Sequence, residues 1–155
     1  MPPCHIRRAR PGEDAALRNL VRAAYAHYVP RIGVEPLPMV DDYAARIAAN
    51  QAWVLEQDGQ MQGLLVLEDT PTGLLLDNIA VTEAARGQGL GRAMIAFAEA
   101  EARRRGQACL WLYTNEKMTE NIALYTRLGF AETRREEKSG RRTVIMEKPL
   151  MRESL

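Results

Sequence analysis

The chain has 155 residues, 46% of them hydrophobic and 26% charged, with 21 basic against 20 acidic side chains and a formal net charge of +1. That balance gives no general drive toward nucleic acid or a membrane surface, and no apolar run approaches the ~20 residues of a bilayer helix. The opening Met-Pro-Pro-Cys-His-Ile-Arg-Arg lacks the apolar stretch of a secretory signal, and two distant cysteines, Cys4 and Cys109, imply neither a metal site nor a redox pair. The expectation is one domain over residues 1–155 in a reducing cytoplasm.

His5 to Ala9 reads as a first strand, stopped by Pro11-Gly12. Glu13 and Asp14 place acid at the start of a helix that runs to about Tyr28, with Leu17, Leu20, Val21, Ala24 and Tyr25 on one face. Pro30, Pro36 and Pro38 exclude regular helix over 29–40. Asp41 or Asp42 then starts a short second helix through Ala49. Ala52–Gln57 and Met61–Glu68 form a hairpin across Asp58-Gly59-Gln60, and Thr70-Pro71-Thr72-Gly73 turns into a strand from Leu74 to Val81. A glycine turn leads into a helix from about Gly89 to Arg105, whose Arg103, Arg104 and Arg105 match the negative end of the dipole before Gly106 stops it. Ala108–Tyr113 is apolar nearly throughout, as a strand covered on both faces is, with Cys109 a packed thiol. Residues 74–113 therefore make a βαβ unit with parallel strands. A helix over about Met118–Leu128 ends at Gly129, and a last hairpin pairs Phe130–Glu136 with Arg142–Lys148 across Lys138-Ser139-Gly140. The order βααβββαβαββ predicts an α/β (α+β) chain with a mixed sheet and helices on both faces.

The turn Arg86-Gly87-Gln88-Gly89-Leu90-Gly91 carries most information. It joins a strand to a helix start, where glycine lets the backbone approach a ligand and the first-turn amides carry partial positive charge. A nucleotide P-loop needs Gly-Lys-Ser/Thr after the turn, and none follows. A dinucleotide turn needs a third glycine where Arg92 stands, and belongs in a first βα unit rather than after three strands.

Arg86-x-x-Gly89-x-Gly91 instead resembles the Arg/Gln-x-x-Gly-x-Gly/Ala pattern of the GNAT superfamily of acyl-CoA-dependent N-acyltransferases. So do the preceding Asn78-Ile79-Ala80-Val81 and the run Thr114 to Phe130, with Asn121, Tyr125 and Gly129-Phe130 at the family's spacing. The resemblance covers about residues 5–150 and is sharpest over 77–130. It implies a mostly antiparallel seven-stranded sheet, about four helices, and a central parallel strand pair splayed for CoA. Acetyl-CoA is then the co-substrate, with no metal. Backbone amides from Arg86, Gly87, Gln88, Gly89, Leu90, Gly91 and Arg92 would clasp the diphosphate, with charge from Arg86 and Arg92. Main-chain groups of Ile79 and Val81 would bond the pantetheine arm, Val81 N–H would serve as oxyanion donor, and Asn121 would contact the same arm. Tyr125, four residues from Asn121 on one helix face, would protonate the departing sulfur.

The acceptor wall is expected from the first two helices, their connection and the last hairpin: Tyr28, Arg31, Met39 and Tyr43, with Asp77 and Asn78 from the strand. On an ideal strand Asp77 shares a face with Ile79 and Val81; a bulge breaks that relation. Asp77, Asn78, Glu83, Glu35 and His27 are the polar groups weighed as base, and none is singled out. The resemblance implies transfer to a primary amine of a small molecule. A protein amine, or a non-catalytic acyl-CoA-binding sensor on the same fold, are the alternatives. Dimers are common in the family, so a homodimer is among the assemblies it implies.

Overall fold

The computed structural model describes residues 4–138 and 140–150. Strands β1 (Cys4–Arg8), β2 (Ala52–Gln57), β3 (Gln60–Thr70), β4 (Gly73–Val81), β5 (Cys109–Asn115), β6 (Ala131–Lys138) and β7 (Arg141–Pro149) form one sheet in the order β1-β2-β3-β4-β5-β7-β6. Every neighbouring pair is antiparallel except β4–β5. Helices α1 (Asp14–Tyr25), α2 (Val29–Ile32), α3 (Tyr43–Ala48), α4 (Leu90–Arg104) and α5 (Thr119–Arg127) cover the two faces. The seven-stranded mixed sheet is as the sequence predicts. Ser139, the centre of the predicted last turn, lies outside the described residues, as do 1–3 and 151–155 at the ends of the expected domain.

Two apolar cores result from strand alternation. Leu65, Leu67, Leu74, Leu76, Leu110 and Leu112 pack on one face against Met94 and Ala98 of α4, Tyr125 of α5 and Leu128 just after it. Val54, Leu64, Val66 and Ala80 pack on the other against Leu17, Val21 and Tyr25 of α1 and Tyr43 and Ile47 of α3. Asp42 caps α3 by accepting from the Ala45 N–H at 3.0 Å, as its sequence position predicts.

Three local expectations change. Pro30 does not exclude helix at once: it sits in the first turn of α2, where a missing N–H costs nothing, and Gly33 at φ 87° ends that turn. β5 is not sealed on both faces, because Cys109, Trp111 and Tyr113 are only partly buried while Leu110 and Leu112 are fully so. β4 carries a bulge: Val66 pairs with Asn78 but Leu67 pairs with Leu76, leaving Asp77 as the extra residue. The alternation slips by one there. Leu74 and Leu76 face α4, Ile79 and Val81 face it again, and Asp77 and Asn78 both turn to the α1–α3 side. Asp77 therefore does not share a face with Ile79 and Val81.

Candidate active site

The parallel pair is joined for only two residues, Leu74 opposite Leu110 and Leu75 opposite Trp111. Beyond them β4 and β5 diverge. The backbone phase then decides which groups face the gap. Thr82 N–H donates to the Gln62 carbonyl at 2.9 Å. In an antiparallel ladder hydrogen-bonded and open pairs alternate, so Ala80 and Asn78 bond Leu64 and Val66 across β3. Ile79 and Val81 fall in the open pairs, and their N–H and C=O groups point away from β3 into the gap. The Ile79 carbonyl there accepts the Tyr25 hydroxyl at 3.1 Å.

The turn after β4 supplies the second set of donors. Glu83–Ala85 is a single 3-10 turn, and the Arg86 amide is used by it, donating to the Glu83 carbonyl at 3.2 Å. The Arg86 N–H is thus already used within the protein. The amides of residues 87–92 make no hydrogen bond of normal geometry to any described residue. Gly87 and Gly89 lie at φ 81° and 76°, a region closed to most side chains, and a Cβ built on Gly87, Gly89 or Gly91 meets no atom within 4 Å. Six successive donors without a described partner therefore stand at the N-terminus of a fifteen-residue helix, a feature that suits a diphosphate.

Two cavities meet at the divergence. A groove of ≈ 450 Å³ runs from Arg86, Gly87 and Gly91 along Val81 and Ala80 to α5. A narrow cavity of ≈ 50 Å³ opens from the other face, between the 36–38 connection, Asp77, Asn78, Tyr113 and the last hairpin. Tyr25, Ile79, Asn121 and Tyr125 line both. Tyr125 is 5% exposed, stacked edge-on against Phe130, and its hydroxyl has no hydrogen-bond partner among the described residues. Burial holds its phenol protonated well above the ordinary value. The Asn121 side-chain amide is likewise without a partner among the described residues, although its backbone N–H donates to the Met118 carbonyl, so both side chains expected from the sequence to act are uncommitted at the junction.

The expected acceptor residues separate. Asp77 and Asn78 line the narrow cavity. Asp77 accepts from the Tyr113 hydroxyl at 2.9 Å and from Arg46 at 3.0 Å, and burial raises its pKa despite that cation. Asn78, 2% exposed, accepts from the Tyr25 hydroxyl at 3.0 Å and donates to the Tyr43 hydroxyl at 3.0 Å, which in turn donates to the Pro38 carbonyl. Tyr43 and Met39 line neither cavity; they are packed beneath the 36–38 connection. Tyr28 lines the wider groove instead, donating to Glu120 at 3.0 Å, and burial beside that carboxylate pushes its pKa to about 12. Arg31 pairs with Glu120 at 2.7 Å and lies over the Tyr28 ring. Glu35 pairs with Arg22, and His27 stacks on Tyr28 at the groove wall.

Tyr25 is the residue that sequence reasoning missed. Its helical spacing marks it as core, and it is core; only the bulge at Asp77 brings Asn78 and the Ile79 carbonyl to its hydroxyl.

Residues 48–132 match the family model of the acetyltransferase (GNAT) domain, more than half of the chain. The chain belongs to the GNAT acetyltransferase family. The matched span runs from the end of α3 to the start of β6 and so contains both edges of the gap, the glycine turn and α5. Within the family the chain is similar to the [ribosomal protein bS18]-alanine N-acetyltransferase of Escherichia coli, 38% identical over 78 residues that make up 50% of this chain and 53% of that protein. The chain thus spans about half the length of the E. coli relative. Two solved GNAT-fold structures superpose over nearly the whole chain. The PaiA N-acetyltransferase of Thermoplasma acidophilum, in complex with coenzyme A, gives a TM-score of 0.79 at 17% identity, covering 95% of this chain and 99% of that one. A putative acetyltransferase of Salmonella typhimurium with its cofactor acetyl-CoA gives 0.73 at 20% identity, covering 99% and 97%.

Proposed function

We propose that the chain transfers an acetyl group from acetyl-CoA to a primary amine. The observation that carries this reading is a run of six amides without a described partner, beside a groove that Gly87, Leu90 and Gly91 line and that reaches the uncommitted hydroxyl of Tyr125. The amides of residues 87–92 would receive the diphosphate, with Arg86 and Arg92 adding charge. Ile79 and Val81 main-chain groups and the Asn121 amide would hold the pantetheine arm as an added strand in the gap. An amine entering by the narrow cavity attacks the thioester carbonyl, and the charge on its oxygen forms opposite the Val81 N–H. As the carbon–sulfur bond breaks, Tyr125 gives its proton to the sulfur. The nitrogen sheds its surplus proton to solvent, which restores Tyr125.

The reading is supported by the two solved relatives, which hold coenzyme A and acetyl-CoA on this fold. The narrow cavity offers a slender amine-bearing end a path to the junction. A small-molecule primary amine has such an end, and the first reading of the acceptor is such a molecule. A protein N-terminus also has one, and the E. coli relative, named for an alanine of a ribosomal protein, favours that second reading.

The test is thiol release from acetyl-CoA with purified protein and two panels, small primary amines and short peptides with free N-termini. Acetylated product in either panel supports the function and names the acceptor class. Tight coenzyme A binding with no transfer to any amine would replace it with a non-catalytic acyl-CoA-binding module.

A further inference from the structure

The unpaired amides that open the turn to a diphosphate also leave residues 87–89, ahead of α4, with few bonds of their own. Residues 90–92 are the first turn of α4, but among the described residues the stretch ahead of it, 87–89, makes one backbone hydrogen bond of normal geometry, which the Gly89 carbonyl accepts from Ala93 at 3.1 Å. Two glycines in the left-handed region add freedom that an empty loop must lose on binding. Residues 87–89 are the part of the turn whose shape a contact from outside can hold. One side-chain hydrogen bond among the described residues reaches it: the Gln57 amide donates to Gln88 Oε1 at 3.0 Å.

Gln57 is the last residue of β2 and is 7% exposed, an unusual place for a primary amide. Gln88 stands between the two left-handed glycines. The same hairpin also holds Thr82, the residue before the 3-10 turn that leads into the glycine turn. Gln62 of β3 accepts from the Thr82 hydroxyl at 2.5 Å and, through its carbonyl, from the Thr82 N–H at 2.9 Å. The hairpin of β2 and β3 therefore bonds both Thr82, ahead of the 3-10 turn, through Gln62, and the centre of the glycine turn through Gln57.

We infer that Gln57 is a positioning residue for the donor: by tethering Gln88 it pre-organises the 87–92 amides for the diphosphate of the CoA thioester. This rests on the donor site proposed above, and it concerns a residue that touches neither ligand nor reacting atoms. Its signature is selectivity among donors. Losing the tether weakens only ligands that carry the diphosphate, because the gap, Val81, Asn121 and Tyr125 lie elsewhere.

The experiment compares wild type with Gln57→Leu, which keeps the volume and removes the donor, and Gln57→Asn, which keeps the amide on a shorter stem. Thermal melts establish that each variant is folded. Gln57→Leu should raise KM for acetyl-CoA and the Kd of coenzyme A roughly 5- to 10-fold, the usual worth of one hydrogen bond, with kcat within about twofold. Turnover of S-acetylpantetheine, which lacks the diphosphate, should be unchanged. Gln88→Leu should raise Kd comparably, and the double variant no further. Should Gln57→Leu fail to melt cooperatively, Gln88→Leu, an exchange at a half-buried turn position, makes the same comparison alone. Equal losses with both donors, or no loss with either, overturn the tether. Absence of coenzyme A binding in the wild type would instead strike the donor site itself, so the two failures are distinguishable.

Discussion

Two buried tyrosines at the cavity junction are expected to respond oppositely to the loss of one oxygen. Tyr125 is 5% exposed and its hydroxyl has no partner among the described residues, so Tyr125→Phe breaks no hydrogen bond and exposes no orphaned acceptor. Its stability cost should lie within about 0.5 kcal/mol, a shift of about 2 °C or less in Tm at this chain length. If the phenol is the proton donor to sulfur, the same change should lower kcat by about 10²-fold or more and leave KM for acetyl-CoA within about twofold. Tyr25 is 7% exposed and donates to both Asn78 Oδ1 and the Ile79 carbonyl. Tyr25→Phe leaves those two acceptors unpaired at a nearly sealed position, at a cost of roughly 1–3 kcal/mol, which is several degrees in Tm. Its effect on kcat should be the smaller of the two. Differential scanning calorimetry and single-turnover thiol release read both quantities on the same preparations. A Tyr125→Phe protein that melts several degrees low and turns over normally would refute the reasoning, because it would make that hydroxyl structural.

Gly89→Ala places a Cβ on a residue at φ 76° with no neighbour within 4 Å, so the folded protein should lose only the backbone penalty of roughly 1–2 kcal/mol. The methyl group also enters the space before the amides, and coenzyme A affinity by calorimetry should fall roughly tenfold or more, beyond what the backbone term explains. Burial raises the Tyr125 pKa, so the acid form persists as pH rises and is lost only above the ordinary phenol value. The Tyr125-dependent part of kcat, wild type against Tyr125→Phe, should stay level from pH 7 to about 10; a decline centred well below that would show a depressed pKa and the wrong assignment. Arg46 joins Asp41, Glu68 and Asp77, and Asp77 is 8% exposed. Arg46→Met should therefore destabilise by roughly 3–5 kcal/mol by leaving a buried carboxylate uncompensated, and adding Asp77→Asn should recover part of it in denaturant titrations.

The parts of the site that are local in sequence are legible there. The glycine turn, its place between a strand and a helix, and the four-residue spacing of Asn121 and Tyr125 each depend on a few adjacent residues. What the sequence hides depends on pairing between distant segments. The bulge at Asp77 exists only in the register of β4 against β3, and it overturns the shared face inferred for Asp77 on an ideal strand. Tyr25 carries the same signal as any apolar residue on its helix stripe, because its hydrogen bonds span more than fifty residues. Gln57 meets Gln88 across thirty-one residues with no motif to mark either. The Arg86 amide was expected among the free donors, and an unanticipated 3-10 turn at Glu83–Ala85 uses it. Pro30 shows the converse: a residue that breaks helix interiors is accommodated at a first turn.

Titrating coenzyme A into isotopically labelled protein and following backbone amide resonances tests the donor site most directly. The account predicts saturable shifts at the amides of residues 87–92 and at Val81, with Arg86, whose N–H is already bonded to Glu83, moving less. Saturable shifts confined to other surfaces, or spectra that stay unchanged at millimolar ligand, would contradict it.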